Sequence, residues 1–477
     1  MNLHARSWLI ARLRHLSALG KRYGLRHGAS LAALSTAFVA GSVSAFSYVP
    51  LTDSALFDRS DFVVDGRIEA PPSRAVAGAS VYSVAVDEVF RGALYGQQIQ
   101  LIVPGTPGSS DGAGVVVSGA PQFTAGERVL LFLHDQGGRF VVQDLALGAF
   151  HQRVDATGQD LLARDLNGAQ RLAVGVDPEG EGWVRDAQGF RAWLRDRAQG
   201  IDTVAAYWRR ANTALTVTPK YTLEGSPPVR WFDFDSGRSV VVYADHSGLL
   251  GLLGGGYAEV KDAIAAWNAD PLSNVRLSYG GVTSARSPLM TADGVNTVMF
   301  NDPYDDIPGG YSCRLGGVVA TAAYHYTGTQ KLNGTTFGRI TETDVVVQDG
   351  VLCLLSLYLG ANAAEAITHE IGHGLGLGHS CGDDNTPTCI VGTIADAAIM
   401  RASLHADGRG AAVGSDDLAG LRRLYPVDGG TVSVDAPGGG APAIGSDGGS
   451  GGGSIDLGVL LLSCAALIFR RRRAVRS

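Results

Sequence analysis

The chain has 477 residues, enough for two or three domains at about 100–200 residues each. Apolar residues make up 45% and charged residues 18%, below the roughly 25% of an ordinary soluble domain, and 65 glycines point to a surface rich in turns. A net charge of −7 excludes a general basic field for nucleic acid or anionic lipid, and leaves peptide, glycan or small-molecule partners.

The N-terminus is rich in Arg and Lys, has no acidic residue, and runs into the apolar "ASLAALSTAFVAGSVSA" ending at Ala45. A basic region, an apolar core and small residues before the cut predict a signal peptide over 1–45, removed by signal peptidase. Residues 46–155 then read as all-β. "DFVVDGRIEA", "SVYSVAVDEVF", "QIQLIVPG", "ERVLLFLH" and "GRFVVQD" are short apolar runs separated by Gly, Pro and Asp turns. In the second run Tyr82, Val84 and Val86 share one face. Such regular short strands predict a small barrel or sandwich, with an OB-like barrel the expectation.

Residues 156–220 form a partly helical connector. "FRAWLRDRA" spaces Phe190, Trp193, Leu194 and Arg197 as a helix, and "AAYWRRA" is expected to continue it with Tyr207 and Trp208. From 221 to 427 the pattern becomes mixed α and β. "SVVVYAD", "GVNTVMFND" and "ITETDVVVQDG" read as strands, and "YAEVKDAIAAWN" as a helix with Val260, Ala263, Ile264 and Trp267 on one stripe. "ANAAEAITHEIGHGLGLGH" predicts a helix of about four turns, since Ala363, Ile367 and Ile371 recur every fourth position. "SDDLAGLRRLYP" predicts a last helix with Ser415 as N-cap and Asp416 and Asp417 in its first turn.

Residues 428–454 are a Gly-rich linker. The tail 455–477 holds "IDLGVLLLSCAALIF" and an Arg cluster, and this apolar run is shorter than the roughly 20 residues of a comfortable transmembrane helix. A stop-transfer anchor is one reading of it. The other rests on likeness, because spacer, short apolar helix and terminal arginines resemble the GlyGly-type sorting tails of Gram-negative bacteria, which a membrane protease cuts. Both place the body outside the cytoplasm, extracellular or on the cell surface, with membrane contact only through the tail. Cysteine usage agrees with an oxidising compartment. Outside the tail lie Cys313, Cys353, Cys381 and Cys389, an even number that permits three pairings; Cys381–Cys389 and Cys313–Cys353 are favoured.

The chemistry concentrates in "HEIGHGLGLGH", residues 369–379. His369 and His373 are four apart on a helix and so face one point. Glu370 is one step round, beside a shared ion and free to act on water. On a continuing helix His379 would sit about 15 Å further along the axis. Gly376 resolves this, because glycine readily takes the left-handed conformation that ends a helix and turns the chain back.

These residues match HExxHxxGxxH, and the chain from 221 to 427 resembles the metzincin zinc peptidases. "AIM" at 398–400 looks like their Met-turn, with Met400 beneath the metal, and "SDDLAGLRRLYP" is similar to the closing helix of the matrixin branch. The resemblance implies an α+β fold: a mixed twisted sheet carrying an active-site helix, preceded here by the small all-β domain. It implies one catalytic Zn2+ on His369, His373 and His379, Glu370 as general base, and protein or peptide substrates. It also implies that "GRITETDVVVQDG" aligns substrate backbone, with an exposed edge near 340–348. The 21 residues from His379 to Met400 exceed the usual matrixin connection, and the first cysteine, Cys313, lies too late for latency through a propeptide cysteine. "NDPYDDIPGG" reads either as a Ca2+ site through Asp302, Asp305 and Asp306 or as a solvated acidic turn. His325 reads either as a ligand of a second metal or as a structural residue.

Overall fold

Alternating strands closed by tight turns organise the first part of the chain. The computed structural model describes residues 46–428 and 432–434, apart from 71, 75–77, 95, 107–112, 156–157, 165–168, 172–182, 211–220, 383–385 and 387–388. The expected signal peptide and tail, and almost all of the linker, lie outside the described residues. Within the described ones no helix is long and apolar enough to cross a membrane.

Strand β1 (Phe46–Val49) and helix α1 (Asp53–Arg59) come first, followed by β2 (Phe62–Ile68), β3 (Ala79–Arg91), β4 (Gln98–Pro104), β5 (Gly114–Val117), β6 (Arg128–Asp135) and β7 (Phe140–Val142). Strands β2, β3, β4, β7 and β6 pair in a ring, antiparallel except for β4 with β7. The result is a small closed five-stranded barrel, which leaves those strands no free edge. Its inward positions follow the period of two read from the sequence: Tyr82 and Val84 are buried, with Val63, Leu101 and Leu131.

The sheet continues from β6 through β8 (Ala149–Val154), β9 (Asp160–Arg164), β10 (Trp183–Asp186) and β11 (Trp208–Arg210). Helix α2 (Ala187–Ala198) buries Phe190, Trp193 and Leu194, as its spacing predicts. The helix does not continue into "AAYWRRA". Gly200, at φ +74°, follows its end, and Trp208–Arg210 pairs with β10 as a strand instead. Tyr207 is buried against Phe190 and Trp193. Beside these rings the buried Asp53 carboxylate accepts from Arg185 and from the Tyr207 hydroxyl, and Arg164 lies 3.5 Å away.

The second sheet is built from β12 (Val240–Asp245), β13 (Leu277–Thr283), β14 (Asn296–Phe300), β15 (Gly317–Leu332) and β16 (Thr335–Val347). It runs β1, β15, β16, β14, β12, β13, antiparallel on the first three strands and parallel beyond. Helices α3 (Tyr257–Asn268) and α4 (Ala361–Gly374) pack on it, and α5 (Ser415–Leu424) closes the chain. Trp267 of α3 is fully buried and donates its indole N–H to the Thr368 carbonyl of α4, which fixes the two helices together. Gly414, not Ser415, caps α5, since its N–H bonds to the Asp417 carboxylate.

One expectation fails here. Residues 340–348 are not an exposed edge, because β16 is paired by β15 on one side and by β14 on the other. Its Thr/Val alternation specifies a strand, but the strand's place in the sheet depends on partners far away in sequence. On the other side β15 would be the edge, but segments from the first part of the chain cover it. β1 pairs with residues 317–321 and β5 with residues 323–326. The barrel part and the second sheet accordingly belong to one compact unit, with Tyr48 packed in the barrel-side core and Val49 in the other.

Candidate metal centre

The helix α4 begins after Gly360 and ends at Gly374, and every residue from Asn362 to Gly374 is buried. Its interior position places His369, Glu370 and His373 beneath the sheet rather than on a surface. The chain then turns at Gly376, whose φ is +91° and where a Cβ would meet the Val229 carbonyl oxygen at 2.4 Å. Only glycine fits that turn. Leu377–Gly378 pairs with Thr222–Leu223, and the Thr222 hydroxyl donates to the His379 carbonyl. His379 is thereby returned to the helix.

Three imidazoles meet as a result. His373 Nε2 lies 2.7 Å and His379 Nε2 3.1 Å from His369 Nε2, and all three side chains are fully buried. His369 Nδ1 donates to the Ile399 carbonyl and His373 Nδ1 to the Leu377 carbonyl, both at 2.8 Å. A carbonyl can only accept, so in the neutral rings both Nε2 atoms carry lone pairs. Burial, then the neighbouring His373 and His379, hold His369 well below the usual imidazole range and keep it neutral. Lone pairs facing each other at this distance repel, and a shared cation removes the repulsion. Nitrogens around a tetrahedral ion at about 2.0–2.1 Å lie roughly 3.3 Å apart, so the cluster has to open by only about half an ångström. Among the described residues this is the one group spaced to hold a metal ion.

Glu370 is fully buried as well, and burial pushes its carboxyl up to about 8 against the opposing bonds from Ser47. Its Oε1 accepts the Ser47 hydroxyl at 2.6 Å, and the Ser47 N–H bonds to the same carboxylate. Its Oε2 is buried with no hydrogen-bond donor in reach. That orphaned oxygen, next in sequence to a metal-competent histidine, suits a proton-bearing molecule held between carboxylate and ion.

Beneath the histidines, Met400 is buried with its sulfur against Gly372, where a Cβ would lie 2.3 Å from it. Asp417 holds this turn: its carboxylate accepts the N–H groups of Ile399, Met400 and Gly414. Burial raises it to about 6 despite those bonds. Glu365 fixes the following loop by accepting from the backbone and ring of His405. Glu224, fully buried, sits 3.4 Å from His373 Nδ1. Cys313 with Cys353, and Cys381 with Cys389, stand at disulfide distance with Cα atoms 6.2 and 5.1 Å apart.

The other candidate residues take part in local hydrogen bonds. Asp302 accepts the N–H groups of Asp306 and Ile307, Asp306 accepts that of Leu289, and Asp305 accepts from Gln136. These bonds tie down a loop that joins the two sheets. His325 Nε2 bonds to the Leu289 carbonyl, and burial lowers its pKa. Sequence reasoning missed Ser47, Glu224 and Glu365. Asp417 was legible only as a charge favourable to a helix start. No known protein family matches the chain, and no curated protein is similar to it.

Proposed function

We propose that the protein is an exported zinc-dependent endopeptidase of metzincin type. The observation that carries this reading is the convergence of three buried imidazole Nε2 atoms beside the buried carboxylate of Glu370. Three histidines with a fourth position open are the donor set of a catalytic zinc rather than of a structural one. His369, His373 and His379 would hold the ion, which supplies a water of pKa near 7 and polarisation of the scissile carbonyl. Glu370, its carboxyl lowered by the charge of a bound cation, would accept the proton of the attacking water and deliver it to the leaving amine. The carbonyls of Ile399 and Leu377 orient two of the rings, and Asp417 keeps Met400 and its turn in place.

In this reading the substrates are proteins or peptides, nucleic acid is no partner, and the body acts outside the cell or on its surface. Processing by signal peptidase and by a sorting protease belongs to the same proposal.

The test compares residues 46–454 with the Glu370→Gln variant for zinc content and casein cleavage. Zinc in both, with chelator-sensitive cleavage lost in the variant, supports the peptidase. Absence of zinc from both sinks the site assignment. A second reading, an envelope binding protein on this scaffold with little peptidase activity, has one observation in its favour: the base is engaged by Ser47. Zinc in both proteins and cleavage by neither, even with residues 46–50 removed, would put that reading first.

A further inference from the structure

The barrel part of the chain does more at the centre than stand beside it. β1 lies antiparallel on β15, with Phe46 opposite Thr321, Ser47 opposite Ala320, Tyr48 opposite Val318 and Val49 opposite Gly317. The register shifts between Ser47 and Tyr48. At that irregularity both the hydroxyl and the N–H of Ser47 turn to the Glu370 carboxylate, 323 residues further along the chain.

Resting on the peptidase reading, the geometry points to an internal lock: β1 occupies the sheet edge where an extended substrate would pair and holds Glu370 through Ser47, so that the centre opens only when β1 leaves.

Three observations carry it. First, an extended peptide binds a sheet by adding to a free edge, and without β1 and β5 the strand at this edge would be β15. Residues 317–321 of that edge are taken by β1 and 323–326 by β5, so no backbone groups there remain for a peptide. Second, Ser47 spends two donors on the group that must accept a proton from water. A strand that merely completed the sheet would present an apolar side chain to this buried helix; position 47 presents a hydroxyl, itself fully buried. Third, the lock is held at its far end. Tyr48 and Val49 are buried in different cores, Thr52 caps α1 by accepting the Ala55 N–H, and Asp53 meets Arg185 and Tyr207. β1 therefore stays in place until it is cut or pulled from the edge. This gives the chain a means of latency that requires no cysteine, consistent with its first cysteine lying at 313.

The test compares three zinc-loaded proteins: the chain from Phe46 to Ser454, the same chain begun at Leu51, and the Phe46–Ser454 chain carrying Ser47→Ala. Casein cleavage is one readout. Binding of a peptide hydroxamate to the cobalt-substituted proteins, followed by visible absorption, is the other and does not depend on turnover. Removal of residues 46–50 is expected to raise both cleavage and hydroxamate affinity at least ten-fold. Ser47→Ala, which keeps the N–H contact, is expected to raise them a few-fold. Equal cleavage and equal hydroxamate affinity in the three proteins would overturn the lock and leave the peptidase standing. No cleavage by any of them, with hydroxamate binding gained only on shortening, would keep the closure and reject the peptidase. If the shortened chain fails to fold, Ser47→Ala decides, and unchanged affinity and cleavage there overturn the lock.

Discussion

The molecule buries polar groups in two places and treats them differently. Beside the barrel, the Asp53 carboxylate is answered by Arg185, Arg164 and the Tyr207 hydroxyl, and the Arg185 guanidinium lies over the rings of Phe150 and Trp208. Each charge there has an opposite charge or a ring face. Under the second sheet, three imidazoles aim their Nε2 atoms at one another, and Glu370 keeps an oxygen with no donor in reach. Both clusters are buried. What separates them is whether the polar atoms complete one another, and the incomplete cluster is the one spaced to hold a metal ion.

Breaking each cluster should therefore fail in its own way. The largest effect is expected at the centre, where Glu370→Gln in a chain with β1 removed loses about 10²–10⁴-fold in casein cleavage while zinc content by atomic absorption is unchanged. Loss of zinc together with activity would make Glu370 structural. In the barrel cluster, Asp53→Ala leaves Arg185 buried without its partner and should destabilise the fold by about 3–5 kcal/mol in urea unfolding. Zinc affinity of the protein that remains folded should not move, and a parallel fall in affinity would show that the two clusters are coupled.

A third prediction uses pH. Folding raises the Asp417 carboxyl to about 6 from an ordinary 3.8, so the folded state binds its proton more tightly than the unfolded chain. The stability this gives is fully present below pH 3.8 and is lost as pH rises through about 6. At about 1.4 kcal/mol per unit, wild type should lose roughly 3 kcal/mol over that window relative to Asp417→Asn. Parallel stability curves for the two proteins would remove Asp417 from the account. At Gly376→Ala a side chain at φ +91° adds about 1–3 kcal/mol of backbone strain to a clash with the Val229 carbonyl oxygen and displaces the turn that brings His379 home. A weaker zinc affinity should accompany it. Full affinity in the variant would mean that His379 is placed by Thr222 and the short strand pair alone.

The two clusters also differed in how far the sequence disclosed them. The centre was legible because its parts are local: HExxH on one helix, a glycine and a third histidine lie within eleven positions. The barrel was legible as strands, since Tyr82 and Val84 alternate with half-exposed neighbours, and its closure into a ring agrees with the short, regular strand spacing. Contacts made across long separations left no local mark. Ser47 reaches Glu370 across 323 positions, and nothing around "FSYV" marks that serine as different from any other in a strand. The same limit explains the misplaced edge. "ITETDVVVQDG" alternates as a strand wherever it lies in the sheet, and only the partners supplied by β14 and β15 put it inside.

The cover on β15 also bears on how the chain can be divided. Expressed alone, residues 221–427 would carry bare N–H and C=O groups along 317–326, in a stretch that reads GVVATAAYHY with no charge apart from its histidine. A row of bare backbone groups without acidic, Lys or Arg side chains is a template for pairing with copies of itself. The fragment is expected to aggregate on expression, whereas in the whole chain residues 46–117, which carry β1 and β5, act toward it as an intramolecular chaperone by shielding that row.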